Sequence, residues 1–251
     1  MCGRLGITAS AGQLQDYLNA SAEASDDHAA DGSLQIPSTG VQRYNLAPSR
    51  QRGGHTILER LPVLRQINGQ RRLDLLVWPL IPFWAHGALP KYHTANCRSE
   101  VDWPFSVTVR DKPAYRGAWQ HDQRCLIPAS WFYEWNQHTQ PKTPYRVYPL
   151  NQPMFTFAGL WDRSSSKDGT VTASCTIITT APNRLLADIG HHRAPVVIEP
   201  PQWDVWLTGS KQEAEQLLQP PPADEMAAVE VSKAVNNPEY DDAALLRPVP
   251  S

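Results

Sequence analysis

Five residues in this 251-residue chain carry side chains that could do chemistry: Cys2, Asn96, Glu134 and the paired His191 and His192. Cys2 follows the initiator methionine, and a small second residue favours removal of Met1. The processed chain would then start with a cysteine, placing an α-amine and a thiol on one residue. The amine, with a reference pKa of about 7.7–8.0, is partly neutral near pH 7 and can attack an aldehyde to give a Schiff base. The thiol, at about 8.5, can add to the same carbon and close a five-membered thiazolidine. A cysteine inside a chain cannot do both. The plain alternative is that Cys2 is a small buried residue without chemistry.

Glu134 lies in Trp131-Phe132-Tyr133-Glu134-Trp135, flanked by aromatic residues. Desolvation there would favour its uncharged form and make it a proton donor, unless strand alternation turns it to solvent. His191 and His192 precede Arg193 and an apolar run. Neighbouring residues face different ways, so at most one of the two enters a given site, and either could be a surface loop residue. Asn96, between Ala95 and Cys97, reads as a turn residue.

The elements that must position these groups are mostly short strands. Residues 2–8 read as a strand, and Ser10 can cap a helix over 11–19. Residues 21–40, rich in Ala, Ser, Asp and Gly, read as a surface loop, and Arg43 to Arg50 as a turn around Asn45. HTILE, LPVLRQI and LDLLVW read as three β-runs, the last two joined by an Asn68-Gly69 hairpin turn. The segment Trp78 to Trp84 holds two prolines and three aromatics, so it is a rigid loop, either a core plug or a platform for stacking bases. A helix is expected over 115–121, two strands across 124–135, and further strands at YRVYP, MFTFAGLW, ASCTIITT and MAAVEVS. Short helices fit 183–188, 202–207 and 211–219. The pattern is α+β in a single domain, with a polar, proline-bearing tail after Asn236.

Composition narrows the function. The chain is 41% apolar and 19% charged, with 23 prolines and 9 tryptophans, which disfavours an all-α fold. A net charge of −2 argues against a protein that coats duplex DNA non-specifically, though not against a local basic cleft. Cys2, Cys97, Cys125 and Cys175 form no CxxC pair, which supports neither a zinc site nor a disulfide framework and fits a reducing cytoplasm. No metal and no cofactor are expected. Neither a signal-peptide pattern nor an apolar run of about 18 residues is present, so no membrane association is expected.

The motifs MCGR, RYNLAPSR, WPLIPFW, TANCRSE, RCLIPASWFYEW, FAGLW, TIITT, HHRAPVV and VSKAVNNP occur in this order. Together they resemble the SRAP family, the SOS-response-associated peptidases, from Cys2 to about Pro238. The resemblance implies one SRAP-like domain over 1–238, with a barrel-like mixed or antiparallel sheet core, peripheral helices and a tail at 239–251. It implies a monomer that recognises abasic sites in single-stranded DNA and crosslinks to them through Cys2, by the thiazolidine that a terminal cysteine allows. Carried over by motif, Asn96, Glu134 and His191 join Cys2 as catalytic residues: Asn96 orients the amine or sugar, Glu134 donates a proton and His191 shuttles protons. Arg4, Arg43, Arg98 and Arg193 are expected to hold phosphates, with Asn45 in the same DNA-binding set. Thr179 or Thr180 adds a hydroxyl contact, and Trp78 and Trp84 stack on bases or wall the cleft. Weak lyase activity by β-elimination and self-catalysed loss of Met1 are further expectations.

Four residues depart from the family pattern: Pro79, Cys97, Trp131 and Ala194. They bear on substrate fit more than on chemistry. Two other classes of function remain open. One is an amidohydrolase or peptidase with Cys2 as nucleophile, which would need an oxyanion hole. The other is a non-covalent reader of modified bases, which would not need Cys2.

Overall fold

The computed structural model describes residues 3–20, 30–52, 54–99, 109 and 111–249. Cys2, Met1 and residues 21–29 of the expected loop lie outside the described residues. In chain order the strands are β1 (Leu5–Ala9), β2 (Leu34–Gln35), β3 (Val41–Leu46), β4 (Ser49–Arg52), β5 (His55–Ile67), β6 (Gln70–Trp78) and β7 (Asn96–Arg98). They continue with β8 (Arg124–Ala129), β9 (Trp131–Trp135), β10 (Pro144–Pro149), β11 (Phe155–Ser165), β12 (Val171–Thr180), β13 (Ala194–Pro195) and β14 (Met226–Glu230). The architecture is mixed α+β, strand-rich, with few and short helices.

β12, β11, β8, β5 and β6 form a ring, closed where β6 meets β12 in a parallel contact at Val77 and Ser174. Closure hides strand edges that would otherwise template aggregation. The Ser174 hydroxyl reinforces the seam by accepting from the Ile81 N–H at 2.7 Å and donating to the Ile81 carbonyl at 3.2 Å. A second, antiparallel sheet runs β14-β10-β9-β1-β3. β8 passes directly into β9, and between them the Ser130 N–H bonds the Gly6 carbonyl of β1 at 2.9 Å.

Local chemistry explains the joints. Asn68 and Gly69 take φ of +51° and +78°, the left-handed pair that a tight hairpin needs between β5 and β6. Ser10 caps the helix Ala11–Leu18 with its hydroxyl on the Gln13 N–H, while Gln13 reaches back to the Ser10 N–H at 2.8 Å. That helix buries Leu14 and Leu18. Phe132, Phe155 and Phe157, with ring centroids 5.5–5.8 Å apart, join the two sheets in one apolar core.

The expected HTILE and LPVLRQI runs fuse into the 13-residue β5, which pairs with β4, β6 and β8 in turn. The expected turn at Asn45 is also corrected, because Arg43 to Leu46 belong to β3. Asn96 is no turn residue either: β7 pairs in parallel with β12, Asn96 opposite Ile177. Part of the expected surface loop is inside. Asp31 pairs with the fully buried Arg65 at 3.1 Å and with Arg72 at 3.3 Å. Asp74 pairs with the same two arginines, and the Arg65 guanidinium lies 4.6 Å over the Trp161 ring, so this buried charge is compensated.

Trp131, one of the unusual residues, lies across Gly6, its partner in the ladder between β1 and β9. A Cβ on Gly6 would fall 2.1 Å from the indole. The large ring fits because residue 6 has no side chain. The expected tail is not loose: Leu245 is buried, and Val231 bridges to Pro248.

Candidate active site

β9 carries Glu134 into the interior, where only 2% of its side chain is exposed, so the solvent-facing alternative is overturned. His191 reaches the same point from another direction. It follows the short helix Arg184–Asp188 and Gly190, whose φ of +77° turns the chain. A Cβ there would also lie 2.5 Å from the His138 ring. The His191 N–H then bonds the Leu186 carbonyl at 2.8 Å, which fixes the ring's entry.

The imidazole is held at both of its nitrogens. Nδ1 lies 2.9 Å from the Arg193 carbonyl oxygen. The Arg193 N–H lies 3.4 Å from the same nitrogen, so Nδ1 donates to the carbonyl in one tautomer and accepts from the amide in the other. Nε2 lies 2.8 Å from Glu134 Oε2, and that contact needs one proton, held either by the nitrogen or by the oxygen. Glu134 and His191 are therefore a buried pair in direct hydrogen-bond contact. His192 is exposed, with its ring stacked 5.1 Å from that of His191. Partial burial, and then His191, hold it below the ordinary histidine range.

Arg193 extends the network. Its Nε and Nη2 donate to the Thr179 hydroxyl at 3.2 and 2.8 Å, and Nη2 also to the Thr179 carbonyl at 2.8 Å. Burial, and next the charge of Arg98, bring the guanidinium down to about 10. The Thr179 hydroxyl donates to the Cys97 carbonyl at 3.3 Å. Thr179, rather than the neighbouring Thr180, therefore links the arginine to β7, the strand carrying Asn96. Cys97 is fully buried, as is Ala194 opposite Thr180.

Asn96 faces an open groove of about 400 Å³ shared with Tyr92, Arg98, Lys112 and Tyr115. The Tyr115 hydroxyl donates to the Asn96 carbonyl at 3.0 Å. Asn96 Oδ1 is buried and has no hydrogen-bond partner among the described residues. Trp84 is 39% exposed, with its indole N–H on the Pro113 carbonyl at 3.1 Å, so its ring borders the same side of the molecule.

The other expected DNA contacts are placed differently. Trp78 is fully buried with its N–H on the Ala95 carbonyl, a core residue and not a stacking platform. Asn45 is fully buried too, and its amide is committed to three carbonyls of the C-terminal segment. Arg4 donates to Asn45 and to the Val235 and Asn236 carbonyls. Arg43 is paired with Glu59 and Asp241. These two arginines hold protein groups where phosphates were expected. Sequence reasoning missed Tyr115, Lys112 and Asp241, for nothing in their local text signals a neighbour so distant along the chain. Among the described residues no group of three or more His, Cys, Asp or Glu side chains could hold a metal ion, and no helix is long and apolar enough to cross a membrane.

The model of the family described as SOS response associated peptidase (SRAP) matches residues 1–238. The chain belongs to the SRAP family. Among its relatives is the abasic site processing protein YoaM of Bacillus subtilis, 37% identical over 209 residues, covering 81% of this chain and 83% of YoaM. The abasic site processing protein HMCES of Gallus gallus is 29% identical over 233 residues, covering 82% of this chain and 66% of HMCES. A crystal structure of a protein from Bacteroides thetaiotaomicron superposes with a TM-score of 0.72 at 21% identity, covering 99% of this SRAP chain and all of the other. It supports the fold.

Proposed function

We propose that this SRAP chain processes abasic sites in single-stranded DNA, forming a covalent crosslink through Cys2 after loss of Met1. The observation that carries the reading is the buried Glu134–His191 pair, in contact at 2.8 Å. It lies on the strand beside which the amino terminus runs: the Tyr133 N–H bonds the Arg4 carbonyl at 2.9 Å, one residue before Glu134. The relatives named as abasic site processing proteins agree with it.

The chemistry balances with these groups. An abasic sugar is a cyclic hemiacetal, and a proton delivered to its ring oxygen opens it to the aldehyde. The Cys2 amine adds to the aldehyde carbon, and the carbinolamine loses one water to give an imine. The thiol then adds to the imine carbon, its sulfur forming the new C–S bond while its proton moves to nitrogen. The net change is the loss of one water. Glu134 and His191 supply and recover protons at the ring oxygen, the carbinolamine hydroxyl and the nitrogen. Asn96, whose buried side-chain oxygen has no hydrogen-bond partner among the described residues, orients the amine or the sugar. Arg98 in the groove attracts the backbone phosphates. The chain acts as a monomer in the cytoplasm, or in the nucleus of a eukaryotic host, and β-elimination from the imine gives weak lyase activity.

The test is intact mass after incubation with single-stranded DNA bearing one abasic site, for wild type and Cys2→Ala. The expected product is a heat-stable adduct on protein lacking Met1, one water lighter than its parts and absent from the variant. No adduct on protein with a free Cys2 terminus refutes the reading and brings the amidohydrolase alternative forward.

A further inference from the structure

The turn Lys233–Asn236 is held from two sides, and both lead to groups used in the proposed reaction. On one side the Arg4 guanidinium donates to the Val235 carbonyl at 2.7 Å and to the Asn236 carbonyl at 3.2 Å. On the other, the Trp135 indole N–H donates to the Asn236 side-chain oxygen at 2.7 Å. Arg4 is two residues from Cys2 in sequence, and Trp135 is next to Glu134. The Arg4 guanidinium also lies 5.8 Å over the Trp135 ring. Asn45 backs the joint: its side-chain oxygen accepts from Arg4 at 2.9 Å, while its amide hydrogens are shared among the Val235, Asn237 and Tyr240 carbonyls. Asp241 completes it by accepting from the Tyr44 and Asn45 N–H groups and from Arg43.

We infer that this clamp is a positioning device, with Arg4, Asn45 and Asn236 as positioning residues that set the amino-terminal strand against Glu134. The inference rests on the proposed crosslinking reaction. Both Nη1 hydrogens of Arg4 and one on Nη2 are given to protein carbonyls and an amide, so this side of the guanidinium fixes a strand. Asp241 lies beyond residues 1–238 and still takes part, so the clamp is built from both ends of the chain. Positioning by a planar fork cannot be replaced by a point charge, and a reacting group displaced by about 1 Å can lose on the order of a hundredfold in rate.

The experiment uses the full chain and three variants, Arg4→Lys, Asn45→Asp and Asn236→Ala, the last at an exposed position outside the core. Single-turnover crosslinking is measured at saturating abasic single-stranded DNA. Non-covalent binding is measured in a Cys2→Ala background as a function of salt. The expected result is a maximal rate lowered about tenfold or more, with unchanged DNA affinity and unchanged salt slope in each variant that melts with wild type. A salt slope shallower by about one in Arg4→Lys, with the maximal rate kept, would show a phosphate contact and overturn the inference. Rates equal to wild type in Asn236→Ala and Arg4→Lys would overturn it as well. If wild type itself forms no adduct, the proposed function fails, which is a different result from variants that match an active wild type.

Discussion

Replacing Glu134 with glutamine tests the Glu134–His191 pair while keeping its shape. Glutamine fills the same volume, and its amide can donate to His191 Nε2, so the 2.8 Å contact survives with no proton to transfer. The other imidazole nitrogen keeps its bond to the Arg193 carbonyl. A hydrogen bond is kept in a form with no proton to transfer, and stability should change by no more than about 3 kcal/mol, the scale of a hydrogen bond to a charged group. The chemical steps lose a positioned acid, which contributes about 10²–10⁴ in rate, or about 3–5 kcal/mol of barrier. The assay is single-turnover adduct formation on abasic single-stranded DNA, with release of DNA from the purified adduct followed separately. Both should slow by at least about a hundredfold in Glu134→Gln, and His191→Gln should cost a similar factor. The double variant should lose little more, because the two residues act as one unit. Rates within about threefold of wild type, in a variant that melts normally, would refute the assignment.

Two further outcomes follow from the packing. Gly6→Ala should destabilise the chain by about 1–3 kcal/mol in urea denaturation because its Cβ meets the Trp131 indole, and Trp131→Gly should relieve most of that loss; additive effects would show that the two do not share the space. Burial, with Glu199 nearby, raises Tyr17 to about 12, and burial raises Tyr133 to about 12 as well. Both phenols bind their protons more tightly folded than unfolded, so the stability they add is complete below pH 10 and is lost as pH rises toward 12. Denaturant midpoints should fall across that window, and less steeply in Tyr17→Phe; a flat profile would refute the linkage.

Much of this fold is legible in the residues. Ser10 with Gln13, Asn68 with Gly69 and the apolar runs of β8, β11 and β12 declare themselves locally, since caps, turns and periodicity are short-range. The proposed catalytic residues are legible only by motif, because Glu134 and His191 stand 57 positions apart in the chain. The misread residues share one cause. Asn45 has the composition of a turn and Arg4 and Arg43 that of a phosphate site, yet each meets partners near the far end of the chain. A polar side chain announces that it needs a partner and says nothing about which one. Trp78 is the apolar counterpart, an aromatic in a proline-rich loop that could face either way until Ala95 supplied an acceptor.

The barrel seam has a consequence for motion. The other junctions of the ring are ladders of many residues, or of two in the case of β5 with β8, whereas β6 and β12 touch at one pair with a serine hydroxyl beside it. A ring fastened so lightly opens there before it opens elsewhere. β7 is attached to β12 only three residues further on, at Ile177 to Thr179, and carries Asn96 with it. Breathing of the seam is thus felt at Asn96, and the exchange rate of the Ile81 amide hydrogen is the clock by which that breathing can be read.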